Sequence, residues 1–289
     1  MMRCLARAAA AALLGLLPLA GQAQPVEVTL PSLDAPGGTP VVLDGHWFAA
    51  PGTAPAPAMV LMHGCGGAYD SRGRLGERYT GMAARLNALG VHVLVTDSFG
   101  PRHEKQICTQ RVGQRRIDQS QRRRDALGAL RWLAARPDVD ASRLGLLGWS
   151  NGGSTVLAAL NLRHREVAAA PVRPSLAVAF YPGCEAEHAR GFEPSAPLLM
   201  QLGEADDWTP AAPCKALAAA VRKGPPPQWD SYEGAHHGFD GAAPVRHRAD
   251  VPNGVSPGQG VHVGANPAAR DASALRLASF IHETWRLSP

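Results

Sequence analysis

This 289-residue chain is poor in cysteine, with five, in aromatic residues, at 6%, and in charge, at 18%. No Cys-x-x-Cys pair and no Cys/His cluster has the spacing of zinc ligands, which argues against a zinc-held fold. Past the N-terminus there is no apolar run of the length needed to span a bilayer, about 20 residues. There is also no internal repeat and no interdomain linker, so one large domain is expected. Hydrophobic residues make up 45%, which excludes a disordered or collagen-like chain. The 31 glycines and 25 prolines imply many turns and short loops.

The N-terminus has the pattern of a secretory signal peptide. Arg3 and Arg7 give a positive start, Ala8 to Ala20 is almost unbroken apolar sequence, and Gly21-Gln22-Ala23 supplies small residues for cleavage. The apolar run is short for an anchor, the competing reading. Cys4 precedes it, so Cys4 is not a lipid-attachment cysteine. Residues 1–23 are therefore expected to be removed, leaving a domain over 24–289 in the periplasm or outside the cell. The formal charge is +5, and two of those charges belong to the leader. The densest basic stretch, Arg111, Arg115, Arg116 and Arg122 to Arg124, is interrupted by Asp118 and Asp125. It reads as a solvated loop and helix face rather than a nucleic-acid patch.

Short alternating stretches over 24–56 predict a hairpin or edge strands. Apolar runs at 58–62 and 91–96 predict strands, and further strands are predicted at 143–148, 176–181, 198–202 and 228–232. Amphipathic helices are predicted at 76–89, 120–135, 154–162, 210–222 and 268–287. Residues 241–267 read as a long surface loop. Continuous apolar strands alternating with helices predict an α/β fold whose mostly parallel sheet is covered on both faces. In such sheets, functional groups gather at the carboxyl ends of the strands.

Three segments at predicted strand ends carry chemistry. Gly148-Trp149-Ser150-Asn151-Gly152 fits Gly-x-Ser-x-Gly between a strand and a helix, the setting of a nucleophile on a sharp turn. A serine hydroxyl needs a base, and in this fold class an acid and then a histidine follow it in the chain. Asp206 and Asp207 follow strand 198–202; either can orient an imidazole, and either can cap the next helix. His236 and His237 follow strand 228–232, and the motif does not separate them.

Together these segments resemble the dienelactone hydrolase family of α/β-hydrolases over about residues 55–285. The family's Asp-x-aromatic-x-Pro segment corresponds to Asp206-Asp207-Trp208-Thr209-Pro210, which gives Asp206 the acid role. Its Tyr-x-x-Ala-x-His-x-Phe segment corresponds to Tyr232, Ala235, His237 and Phe239, which gives His237 the base role. Its His-Gly strand end corresponds to His63-Gly64-Cys65-Gly66-Gly67, and the likeness extends to Asp97-Ser98-Phe99-Gly100-Pro101-Arg102. The family's dienelactone-opening enzymes use cysteine as nucleophile, whereas this chain has Ser150. The resemblance thus implies the α/β-hydrolase fold and the triad, but points from dienelactones toward general carboxylic-ester or lactone hydrolysis.

The oxyanion hole is then expected from the N–H groups of Asn151 and Cys65. A turn needing positive φ at Gly66 or Gly67 is the other reading of that glycine-rich loop. Without Cys4, four cysteines remain, and three pairings are open. Cys65–Cys108 would stiffen the oxyanion loop, and Cys184–Cys214 would brace the acid loop; these are the expected pairs. Trp149, Trp208 and Arg102 are candidate substrate contacts, with Arg102 alternatively an ion-pair partner of Asp97; Phe99 and Tyr69 are further aromatics at strand ends. No metal or cofactor is implied, and the partner is a small-molecule ester or lactone. A peptidase or acyltransferase on the same triad, or a non-catalytic binding protein, are the competing functions.

Overall fold

The computed structural model describes residues 25–52 and 55–287; the expected leader, residues 1–23, lies outside the described residues. Strand β1 (Val26–Pro31) pairs antiparallel with β2 (Val42–Phe48), as the alternating N-terminal pattern predicts. The chain continues through β3 (Ala56–Met62), α1 (Glu77–Ala88), β4 (His92–Asp97), α2 (Gln119–Ala134), β5 (Val139–Trp149) and α3 (Asn151–Leu160). A short α4 (Arg165–Ala168), β6 (Leu176–Phe180), α5 (Glu185–Arg190), β7 (Leu198–Gly203), α6 (Ala211–Ala220) and β8 (Gln228–Tyr232) follow. Two three-residue strands, β9 (Arg246–Arg248) and β10 (Val261–Val263), precede α7 (Pro267–Trp285).

Eight strands form one sheet in the order β1-β2-β4-β3-β5-β6-β7-β8. β2 is antiparallel to both neighbours, and from β4 to β8 every pairing is parallel. The central strands β3, β6 and β7 and the second half of β5 read as apolar runs because both faces are covered, whereas the edge strands β1 and β8 carry polar side chains. Ala58, Val60 and Met62 face the core shared with α2, α3 and α6, while Met59 and Leu61 face the core shared with α1 and α7. Leu127, Leu130 and Leu133 of α2 are the inward stripe predicted from helical spacing. Burying each stabilises the fold by roughly 1.5–3 kcal/mol.

Helix α2 starts where it does because of a capping box. The Asp118 carboxylate accepts the N–H of Ser120 at 2.7 Å, and the Gln121 side chain accepts the Asp118 N–H at 2.9 Å. The cap aligns the basic run 122–124 along the helix, and the outcome differs from a solvated face. Arg122 is fully buried, Arg123 is nearly so, and Arg123 and Arg124 both pair with Glu166.

Two other expectations change. Residues 241–267 are not a plain surface loop. β9 and β10 form an antiparallel ribbon, and Val263 bridges to His237 while the Gly264 N–H donates to the His237 carbonyl at 3.0 Å. The helix expected at 154–162 begins at Asn151, directly after Ser150. Among the described residues, no helix is long and apolar enough to cross a membrane.

Candidate active site

Ser150 stands between the end of β5 and the start of α3 with φ 54° and ψ −118°. Positive φ is costly for a residue with a side chain and persists only where the surroundings impose it. Here the Ser150 N–H is held by the Phe180 carbonyl at 2.9 Å, and its carbonyl accepts the Ser154 N–H at 2.8 Å. Two glycines make the turn possible. A Cβ on Gly148 would sit 2.3 Å from the Gly152 carbonyl oxygen, and one on Gly152 would sit 2.0 Å from that of Met62. The spacing Gly-x-Ser-x-Gly is therefore a packing requirement, at Gly148 within the turn itself and at Gly152 between the turn and the end of β3.

The loops after β7 and β8 bring the acid and the base to the same sheet edge. His237 Nε2 lies 2.9 Å from Ser150 Oγ, and His237 Nδ1 lies 2.8 Å from Asp206 Oδ2. Asp206 Oδ1 accepts the N–H groups of Trp208 at 2.8 Å and Thr209 at 2.9 Å, so the carboxylate is fixed by its own loop. These bonds leave Oδ2 for the imidazole, and an acceptor below Nδ1 places the proton there and the lone pair on Nε2. All three side chains are buried, and the His237 ring lies between those of Tyr181 and Trp208, with both centroids at 4.6 Å.

The neighbouring residues separate clearly. His236 makes no contact with Ser150; its ring faces His262, 5.5 Å away. Asp207 turns outward to His262 of β10, accepting its N–H at 2.8 Å and approaching Nδ1 at 2.7 Å. Burial works to raise the Asp207 carboxyl, but the His262 bonds outweigh it and hold the group below its ordinary range. Asp207 thus fastens the ribbon to the acid loop.

Both expected disulfides are present, Cys65–Cys108 and Cys184–Cys214. The first sits in the loop after β3. The Cys65 carbonyl accepts the Ile107 N–H at 2.8 Å, and Gly67 takes φ 86° with its Cα packed on the Lys105 carbonyl. The two readings of this loop are therefore compatible: positive φ falls on Gly67, and Cys65 remains free to face the cleft. Neither the Cys65 nor the Asn151 N–H donates a hydrogen bond within the described protein. Cys65, Cys108, Ser150, Trp208, His237 and the ribbon's Arg246, Arg248 and Val263 line a cleft of about 310 Å³. A larger groove of about 480 Å³ between α1 and α7 holds no nucleophile.

The three candidate substrate contacts fare differently. Trp208 lines the cleft and is partly exposed. Trp149 is buried; its edge reaches the cleft, but its Nε1–H donates to Asp240 Oδ2 at 2.8 Å. Arg102 is a correction on both readings. Its guanidinium donates to Asp125, Asp34 and the Ser98 carbonyl, all at 2.8–2.9 Å, and it neither lines the cleft nor pairs with Asp97. Phe99 packs edge-on beneath His63, and Tyr69 bonds to His46, so neither lines the cleft. Sequence reading missed Thr209, whose hydroxyl lies 3.0 Å from His237 Nδ1 and donates to the Tyr181 carbonyl. It also missed Asp240, three residues past His237, which joins Trp149, Tyr181 and Arg78. No local motif distinguishes either residue.

Under the site, His63 is fully buried and neutral by construction. Its Nδ1 bonds the Gly64 carbonyl at 2.8 Å, and its Nε2 accepts the Ser98 N–H at 3.1 Å. Burial, aided by the charge of Arg122, pushes it well below the usual 6.5. Burial also lowers His46 and His92. Below pH 6.5 the unfolded chain takes up protons that these three folded imidazoles refuse, so stability falls as pH drops through that point. Chemical denaturation should show a lower midpoint at pH 5.5 than at pH 7.5. A flat profile across that interval would contradict the burial argument.

The sequence profile of the dienelactone hydrolase family matches residues 45–284. No curated protein matches the chain significantly. Among solved structures, a dienelactone hydrolase-like promiscuous phosphotriesterase from metagenomic libraries superposes with a TM-score of 0.64 at 18% identity, covering 91% of this chain and 99% of that one. A thermophilic esterase from Thermogutta terrifontis gives 0.60 at 17% identity, covering 94% and 98%. A puromycin-hydrolysing peptidase from Mycobacterium tuberculosis gives 0.63 at 18% identity, covering 96% of this chain but 42% of the peptidase. At these identities the likeness shows the shared α/β-hydrolase fold.

Proposed function

The chain belongs to the dienelactone hydrolase family of hydrolases, and from that premise we propose that it is an exported serine hydrolase that cleaves a carboxylic ester or lactone through an acyl-enzyme. The observation that carries this reading is the unbroken path from Ser150 Oγ through His237 to Asp206, with links of 2.9 and 2.8 Å, at a serine with positive φ. His237 Nε2 takes the hydroxyl proton as Oγ attacks the carbonyl carbon. The oxyanion that forms is received by the N–H groups of Cys65 and Asn151. The tetrahedral intermediate collapses, the leaving alkoxide takes the proton from His237, and a water repeats the sequence to release the acid. Asp206 steadies the imidazolium in both halves. None of these steps calls for a cofactor.

Export rests on the leader-like residues 1–23 and on two disulfides, which persist in oxidising compartments. The ester rather than the dienelactone is favoured by a serine where dienelactone-opening relatives carry cysteine. A peptidase is the second reading, because one structural neighbour is named as one, although this chain spans less than half of it. Incubation with a fluorophosphonate should label Ser150 alone, as mapped by mass spectrometry. An unlabelled protein under conditions where it turns over substrate would sink the serine mechanism. p-Nitrophenyl esters and lactones should be turned over far faster than peptide anilides; the reverse order would select the peptidase.

A further inference from the structure

Arg122 sits in the first turn of α2 with no solvent exposure. Among the described residues no carboxylate lies within ion-pair distance of it. Asp125, one turn along the helix, is taken by Arg102 and by the Ser32 hydroxyl. A buried cation without its own counter-ion is expensive, and a fold retains one only where something else is gained. What Arg122 touches is specific. Nη2 donates to the His63 carbonyl at 2.7 Å, Nη1 donates to Asn151 Oδ1, and the guanidinium carbon lies 5.0 Å over the Phe99 ring. Nε has no partner. The two acceptors lie on the two segments that carry the Cys65 and Asn151 N–H groups.

We propose that Arg122 is the positioning residue of the oxyanion site: its guanidinium clamps the end of β3 to the first residue of α3 and sets a positive charge behind the two N–H donors. This rests on the serine-hydrolase reading above. Burial lowers the guanidinium to about 10, with Asp125, Tyr79 and Asp97 working to raise it and Arg102 to lower it, so it remains charged at neutral pH. No carboxylate contacts the guanidinium directly, and the negative charge that forms on the substrate oxygen in the tetrahedral intermediate arises at the two donors it backs. Preorganised charge in a water-poor site acts on the transition state more than on the ground state.

The test uses R122M, which removes charge and donors, R122Q, which keeps an amide donor, and R122K, which keeps the charge. Wild type and S150A are run first: an S150A protein that still turns over ester disposes of the parent reading, whatever Arg122 does. With that reading standing, R122M should lose on the order of 100-fold in kcat, the scale of one oxyanion donor. KM should stay within about threefold, the signature of an interaction made in the transition state. R122K should recover part of the loss. Affinity for a boronic acid, whose tetrahedral adduct places a hydroxyl on the donors, should fall in step with kcat/KM, while affinity for the product acid holds. R122M with wild-type kcat overturns the proposal, as does an equal loss of boronate and product affinity. Should R122M fail to fold, R122Q decides: at least a tenfold loss of kcat upholds the charge, on the same scale, and a smaller loss overturns it.

Discussion

Replacing Ser150 with alanine is expected to lower kcat on a chromogenic ester by 10⁵-fold or more, on the order of the loss when a triad nucleophile is removed. The hydroxyl bonds His237 Nε2 and borders the cleft, and alanine keeps the Cβ, so the melting temperature should change little. The sharper comparison is between the adjacent acids. Asp206→Asn leaves the shape of the loop but puts an amide opposite His237 Nδ1; it favours the wrong tautomer, and a loss on the order of 10⁴-fold is expected. Asp207→Asn should leave kcat within a few-fold, because that carboxylate serves His262 and the ribbon. Likewise His236→Gln should keep most activity, while His237→Gln should lose as much as Ser150→Ala. If Asp207→Asn were the more damaging of the pair, the path through Asp206 would be wrong.

The parallel sheet was legible because its central strands are buried on both faces: Ala58 to Met62 or Leu144 to Leu147 has no polar side chain to bury. The chain order serine, acid, histidine was legible for a related reason. Each residue stands at or within a few residues of the carboxyl end of a strand, β5, β7 or β8, and strand ends are where this architecture exposes side chains to one another. Pattern alone did not separate Asp206 from Asp207 or His236 from His237; the family spacing did, and Asp206 and His237 are the members that reach Ser150.

What stayed hidden depends on contacts between distant segments. Arg102 stands in a strand-end loop and read as a ligand for anions; its partners Asp34 and Asp125 come from the N-terminal edge and from α2, 68 and 23 residues away. Arg122 stands in a run of three arginines that has the composition of a solvated face. Its burial follows from the phase of α2, which the Asp118 cap sets and no local count reveals. The ribbon was missed because β9 and β10 have three residues each and are separated by a Gly- and Pro-rich stretch, too little for a period-two signal.

The two disulfides should separate into one that mainly supports stability and one that supports both stability and catalysis. Cys184 and Cys214 are fully buried and join α5 to α6 behind the acid loop. Cys65–Cys108 lines the cleft, and Cys65 carries one of the two proposed oxyanion donors. It closes a 43-residue loop, which the chain-entropy model values at about 4 kcal/mol. At roughly 2–4 °C per kcal/mol for a domain of this size, C65S/C108S should melt about 10 °C lower. Its kcat at a temperature where it remains folded should fall at least tenfold, up to the loss of a whole oxyanion donor, about 100-fold. The loop then keeps only hydrogen bonds, from the Ile107 N–H to the Cys65 carbonyl and from the Tyr79 hydroxyl to the Gly67 carbonyl, and without the covalent tie the Cys65 N–H can turn from the cleft. C184S/C214S should show a comparable fall in melting temperature and a kcat within a few-fold of the parent, since Asp206 is also held by the Trp208 and Thr209 N–H groups. Full kcat in C65S/C108S would mean that Cys65 does not present its N–H to the oxyanion, and the second donor would have to be sought elsewhere along Gly64–Gly67.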